Sequence, residues 1–176
     1  MKYLKLLIIL LLPISFYSQN DYRDTVIEAA INKKINEYRV ENGLHELNTT
    51  ERFRTEIDSY AVIASKKIER SLLLKHSGHP RLEIICFTPC SEYWSDTKED
   101  AYKTVFSADS IAESTIEAWK NSPGHNSGML NEPWAKQLIT SAYVFYIDDR
   151  QGWATFIVTQ LPTETEDGSV VINLGN

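Results

Sequence analysis

Two short stretches hold the side chains best suited to chemistry: Lys75-His76-Ser77-Gly78-His79-Pro80-Arg81-Leu82-Glu83 and Trp119-Lys120-Asn121-Ser122-Pro123-Gly124-His125. Histidine is the side chain whose ordinary pKa lies nearest neutrality, and three of the chain's four fall in these stretches. Each stretch also carries glycine and proline, which predicts a non-helical setting for His76, His79 and His125. The first adds the carboxylate of Glu83, seven residues after His76. Brought together, two imidazoles and a carboxylate form a donor set for a divalent cation such as zinc, or an acid–base pair. Held apart, they are loop residues, and the chain is a globular module without visible chemistry.

Local pattern narrows the chemistry. Gly78 and Pro80 force a turn around His79, so His76 and His79 are not the helical pair of a zinc hydrolase, which needs histidines four apart on one helical face. Glu83 opens an apolar run, where a carboxylate needs a partner to offset burial; a nearby histidine would serve. His125 follows the end of a predicted helix, where the helix dipole favours a charged imidazole, and its simplest role there is a cap. There is no Gly-x-Ser-x-Gly elbow, and none of the seven glycines builds a phosphate-cradling loop.

The elements that must position these residues can be read from hydrophobic period. Ile27, Ile31, Ile35 and Tyr38 make one face of a helix over 24–41, with Lys33, Lys34, Glu37 and Arg39 elsewhere, and Asn42-Gly43 stops it. Thr49-Thr50 is placed to cap a second helix over 50–71, whose core face is Phe53, Ile57, Tyr60, Ala61, Ala64 and Ile68. A short strand is expected over 82–87, closed by Pro89, and 91–106 reads as loop. Ser110-Ile111-Ala112-Glu113 has the form of a capping box opening a third helix, with Ala112, Ile116 and Trp119 inward and a stop before Pro123. Residues 138–147 and 153–161 alternate as strands around Asp148-Asp149-Arg150-Gln151-Gly152, a hairpin loop. Both strands are apolar on both faces, which places the hairpin centrally with helices on either side. The expected fold is therefore α+β, a three-layer α-β-α sandwich around a mainly antiparallel sheet. Val170 to Leu174 reads either as a short edge strand or as unstructured tail.

Bulk properties set the compartment and exclude partners. The 176 residues are 43% hydrophobic, enough for one domain with a core. Lys2 and Lys5 precede the apolar run from Leu6 to Leu12, followed by small and polar residues, the layout of a secretory signal peptide over 1–19. The run is too short to span a bilayer. The domain is then 20–162, and 163–176 is a polar acidic tail. Removing the signal takes two lysines and no acid, so the formal charge of −6 becomes −8. An acidic chain with no basic block offers no nucleic-acid footprint, and an anionic membrane surface is equally excluded on charge. The chain is expected to be secreted or periplasmic, and monomeric. In an oxidising compartment the default for Cys86 and Cys90 is one short disulfide; the alternative is two thiols, with Cys86 in a strand.

With these residues in place, the sequence resembles the CAP superfamily (the SCP/PR-1-like domain of cysteine-rich secretory, antigen 5 and pathogenesis-related 1 proteins), in its bacterial-type branch. Ile35-Asn36-Glu37-Tyr38-Arg39 with Gly43-Leu44-His45-Glu46-Leu47 is similar to that family's first-helix signature. His76-Ser77-Gly78 with Glu83 resembles its His-Ser-Gly to Gly-Glu-Asn segment, and Trp119 to His125 resembles its Trp-x-Asn-Ser-Pro-Gly-His segment. The resemblance covers about residues 27–161. It implies an α-β-α sandwich whose cleft gathers His76, Glu83 and His125, with zinc or another divalent cation held by His76 and His125. Ser122 stands where eukaryotic members carry a second Glu, Leu82 and Ile84 replace the Gly and Asn flanking the family's Glu, and His79 is an extra imidazole able to substitute for His76. Some members of the family bind sterols or lipids, so a small or lipid ligand is a further expectation.

Three functions compete on this reading. The first is a secreted binding module with a His/Glu cleft for a metal or small ligand and no firm catalytic activity. The second is a hydrolase, peptidase or esterase, using metal-bound water or a His-activated Ser122 in the same cleft; only one carboxylate being present weighs against it. The third is a structural or lipid-carrying secreted protein whose histidines only hold loops.

Overall fold

The computed structural model describes residues 22–71, 73, 83–94, 102–130, 135–146 and 152–161. The expected signal peptide, His76, His79, the hairpin loop over 148–151 and the tail after 161 lie outside these residues, so the expected domain limits do as well.

A five-stranded mixed sheet is built on β6 (Gln137–Tyr146) and β7 (Gly152–Leu161), which pair antiparallel from Gln137↔Leu161 to Tyr146↔Gly152. β3 (Glu83–Pro89) pairs antiparallel with the far side of β7. The other side of β6 takes two short strands: β1 (Tyr22–Arg23), antiparallel at Val144 and Tyr143, and β2 (Asn48–Thr49), parallel at Gln137 and Leu138. Four helices, α1 (Thr25–Glu41), α2 (Arg54–Ser71), α3 (Ala108–Lys120) and α4 (Pro123–Met129), complete the described fold with the hairpin β4 (Ser91–Trp94) and β5 (Tyr102–Val105). The class is mixed α and β with a small open sheet.

Alternation along β6 sorts the core into two clusters. Leu138, Ala142 and Val144 pack with Ile84 and with Ile27, Ile31 and Ile35 of α1, Ile111, Ala112, Ile116 and Trp119 of α3 and Met129 of α4. Ile139 and Ile85 pack instead with Ile57, Ala61 and Ala64 of α2, and the half-buried Tyr143 joins them. Neighbouring residues of one strand thus serve opposite faces, as the strand period requires. Fully buried Ile31 and Ile35 each contribute about 1.5–3 kcal/mol of transfer free energy.

α1 follows its sequence signals closely. The Asp24 carboxylate accepts from the amides of Val26 and Ile27 at 2.9 and 3.1 Å, and the Asp24 amide donates to the Ala142 carbonyl, tying the helix start to β6. At the other end Gly43 adopts φ +75°, the Leu44 amide bonds the Arg39 carbonyl and the Gly43 amide bonds that of Val40, a Schellman stop that favours glycine.

Five local expectations are corrected. α2 opens at Arg54 rather than residue 50, because the amides of Asn48 and Thr50 are taken by the carbonyls of Lys136 and Leu138, and Phe53 turns the chain at φ +60°. The predicted loop over 91–106 contains the β4–β5 hairpin, paired from Ser91↔Val105 to Trp94↔Tyr102; its strands are rich in aromatic and β-branched residues. The N-cap of α3 is Ser107, three residues before the expected Ser110, because the Ser107 side chain accepts from the Ser110 amide at 3.1 Å. Pro123, read as the end of one helix, is the first residue of α4, where a missing amide hydrogen is no loss; His125 is therefore helical, in a first turn. Cys86 and Cys90 are thiols, since β3 runs extended through Pro89 and holds their Cα atoms about 13 Å apart, beyond the roughly 7 Å a disulfide spans.

Candidate functional site

Ser122 and His125 lie at the corner between α3 and α4, and Glu83 is the first residue of the strand that this corner leans on. Trp119, in the last turn of α3, is buried and its indole N–H donates to the Ile85 carbonyl at 3.3 Å. Two residues separate α3 from α4, with Ser122 as the flanking extended residue, and the Ser122 carbonyl accepts from the Asn126 amide at 2.8 Å. One turn on, Gly128 lies against Ile84 so closely that a Cβ there would meet Ile84 Cδ1 at 3.0 Å. The helix bearing His125 therefore rests on Ile84, the residue that follows Glu83, while the bond to Ile85 comes from α3. Glu83 itself is the first residue of β3, paired with Thr159, and His125 is half-buried.

A second set of contacts ties this corner to α1. The Tyr38 hydroxyl donates to Asn126 Oδ1 at 2.9 Å, and Lys120 Nζ stands 4.5 Å over the Tyr38 ring. Arg39 is wholly buried; its Nη1 donates to the Met129 carbonyl at 2.8 Å and its Nε to the His45 carbonyl at 3.0 Å. Asn36 and Leu47 exchange two hydrogen bonds, side chain to backbone, at 2.9 and 3.0 Å. His45 Nε2 lies 3.3 Å from both the Ala135 carbonyl and Lys136 Nζ. The segments similar to the first-helix signature and to the Trp-to-His signature are thus bonded to each other.

Sequence reasoning places Tyr38 in an apolar stripe and Arg39 on a polar face, and singles out Asn126 nowhere. The arginine is misplaced because its charge reads as a solvated side chain, although it continues the four-residue spacing of Ile27, Ile31 and Ile35 and its guanidinium is spent on backbone carbonyls. Membership of the first-helix signature is the one available signal for Tyr38 and Arg39, and Asn126 directly follows the second signature.

Apart from this corner, a polar groove of about 470 Å³ runs between α1, β2, the start of α2 and β6. Its floor is Glu28, buried, whose carboxylate takes two bonds of 2.7 Å from Arg23, lies 3.6 Å from Arg54 Nη1 and accepts from the Ala142 amide at 3.2 Å. The Glu28 hydrogen bonds raise the Arg23 pKa well above the ordinary guanidinium range. Arg54 also donates to the Thr140 carbonyl at 2.7 Å and to Glu51, whose carboxyl it holds below the usual range. Thr140 in turn bonds Asn32. These groups saturate one another, and the arrangement ties α1, α2 and the sheet together.

Of the expected metal donors, the described residues contain His125 with its side chain; His76 lies outside them, and for Glu83 only the backbone position is described. Among the described residues no three His, Cys, Asp or Glu side chains gather as a metal-holding group. Burial pushes the Cys86 thiol upward, away from the thiolate that binds metal. Among the described residues no helix is long and apolar enough to cross a membrane.

Comparison with known proteins gives little beyond this geometry. No protein-family model matches the chain, and no curated protein matches it. Among solved structures it is similar to an outer surface protein from Borrelia burgdorferi, at 11% identity and a TM-score of 0.48, over 82% of this chain and 100% of that one.

Proposed function

We propose that the chain is an exported CAP-type binding module whose cleft is formed by His76, Glu83 and His125 and takes a divalent cation, zinc by the chemistry of its donors. The observation that supports it best is the seating of the α3–α4 corner on β3: Gly128 of α4 against Ile84, with Trp119 of α3 bonded to Ile85, brings the His125 helix alongside the strand that opens with Glu83. Two imidazoles and a carboxylate are zinc donors; His76 and His125 would ligate, and Glu83 would be a third ligand or would orient an imidazole. A bound cation would supply a Lewis-acid anchor for an anionic or carbonyl-bearing small ligand. The partly exposed His125 keeps such an anchor open to solvent. In this reading the two core clusters, one on each face of β6, belong to a three-layer α-β-α sandwich, residues 1–19 direct export, and the chain works as a monomer.

Calorimetric titration of zinc into the chain recovered after export tests the proposal. The wild type should take one equivalent, and a His76→Ala/His125→Ala double variant should take none. Equal uptake by both proteins overturns it.

A further inference from the structure

We propose that the polar groove between α1, β2, the start of α2 and β6 is a second binding site, one that takes the carboxylate of a small organic acid. None of its residues belongs to the cation site.

One wall of the groove is a single helical stripe. Thr25, Glu28, Ala29, Asn32, Lys33 and Asn36 recur at three- and four-residue spacing along α1, so they share a face. The other wall depends on Phe53, whose φ of +60° turns the chain between β2 and α2 so that Glu51 and Arg54 line the groove. A bulky residue holds that conformation only where its surroundings compel it, and such positions gather at functional sites. The groove measures about 470 Å³, within the size range of small-ligand sites.

Its hydrogen-bonding groups are saturated on one side only. Every carboxylate oxygen in the lining is taken: both of Glu28 by Arg23 and both of Glu51 by Arg54, at 2.7–2.9 Å. The Thr140 carbonyl accepts from Arg54, and Asn32 Oδ1 accepts from the Thr140 hydroxyl. Donors are left over. Among the described residues nothing accepts from Arg23 Nη1 or Asn32 Nδ2. Lys33, with its side chain 66% exposed, has its carboxylate neighbour Glu37 no nearer than 3.8 Å.

A groove with occupied acceptors and spare donors selects a ligand that accepts hydrogen bonds. Arg23, Lys33 and Arg54 face Glu28 and Glu51 across it, an excess of one positive charge, which suits one carboxylate better than a doubly charged phosphate. Asp58 does not line the groove; it comes to 3.7 Å from Arg23 on the Nε edge, away from Nη1. Because Glu28 grips the Nε and Nη2 edge, the Arg23 guanidinium is already oriented before any ligand arrives. The rest of its fork matches the planar carboxylate that arginine recognises.

The test is an NMR titration of isotope-labelled, metal-free chain, recovered after export, at constant ionic strength. The probes are propionate, its uncharged isostere propionamide, and inorganic phosphate. Propionate should move the Arg23 Nε–Hε and Asn32 side-chain amide cross-peaks along a saturating curve and bind more tightly than phosphate; propionamide should move neither. Asn32→Asp keeps an acceptor for the Thr140 hydroxyl but removes the Nδ2 donor. Followed through the Arg23 peak, it should weaken propionate about tenfold or more, the effect of losing a hydrogen bond to a charged group. Ala29→Met, on the same stripe and outside the Glu28 network, adds bulk to the groove without changing its charge and should also weaken binding about tenfold. Should Asn32→Asp not fold, Ala29→Met carries the measurement. A response linear in propionate, propionamide or phosphate binding as well as propionate, or wild-type affinity in either folded variant overturns the proposal.

Discussion

Gly128 and Ile84 approach closely: a Cβ on Gly128 would stand 3.0 Å from Ile84 Cδ1 and 3.1 Å from Cγ1, so Ile84 would have to give by a few tenths of an ångström to admit one. Ile84 is itself in the core at 1% exposure, with little room to retreat. Two effects oppose each other in Gly128→Ala. The helix gains up to about 1 kcal/mol of backbone entropy, and overpacking costs about 1–3 kcal/mol. We expect net destabilisation of about 1 kcal/mol in urea unfolding. Because the nearest atom is Cδ1, Ile84→Val should relieve part of it, so Gly128→Ala should cost less in the Ile84→Val background than alone. Equal costs in both backgrounds would show that the contact is not the cause.

How far the sequence carries this corner follows from range. The period-3.6 stripe of Ile27, Ile31 and Ile35 and the alternation over 138–147 are local signals backed by burial, and both elements form within a residue of where periodicity places them, at Thr25–Glu41 and Gln137–Tyr146. α4 is hidden because Pro123-Gly124 reads as a breaker, while the same proline can start a helix as readily as end one. The β4–β5 hairpin is hidden because Ser91-Glu92-Tyr93-Trp94 has no clean apolar face. Arg39 is hidden because its partner at Met129 is 90 residues away, and Tyr38 and Asn126 are 88 apart. No local pattern records such a pairing, and only the signature motifs hint at it. The sequence puts His125 just past the end of a helix, whereas it lies in the first turn of the next one.

Trp119→Phe examines the link from α3 to β3. The indole N–H is the donor to the Ile85 carbonyl, and the ring is buried at 1% exposure. Phenylalanine removes the donor, leaving a buried carbonyl unmet at about 1–3 kcal/mol, and leaves a small void. A total loss of about 2–4 kcal/mol is expected by chemical denaturation. A loss under about 0.5 kcal/mol, the size of an ordinary surface change, would mean that the contact is incidental.

The network on Glu28 should behave as a structural clamp with an acid limb. Glu28→Gln keeps the shape and removes the charge between Arg23 and Arg54. Breaking a buried pair costs about 3–5 kcal/mol, and because the Arg23 side chain is 34% exposed we expect about 2 kcal/mol, the remainder being relieved by water. Glu51 sets the pH dependence. Arg54 holds its carboxyl below the ordinary range, so the stability it contributes is present above the unfolded carboxylate pKa of about 4.3 and is lost as pH falls through the lower folded value. Glu51→Gln should therefore flatten the stability curve below about pH 4.3 and leave neutral pH changed by only tenths of a kcal/mol, since its side chain is 76% exposed. An unchanged acid limb contradicts this.

The cysteines give the most direct check on β3. Both are thiols, Cys90 buried and Cys86 half-buried, so the protein denatured without reductant after export should release two titratable thiols per chain. A count of zero would mean a disulfide and a β3 that does not run extended to Pro89. In the native state, burial raises the Cys86 pKa, with the hydrogen bond to Thr88 pulling the other way. The thiolate is the reacting form, and a raised pKa means that it appears later as pH rises. Alkylation of native protein should therefore be slow at pH 7 and still climbing past about 8.5, the midpoint of an ordinary thiol. The same thiols in urea should level off near that midpoint. Coincident profiles in the two states would place Cys86 in open solvent, and with it the strand that opens with Glu83.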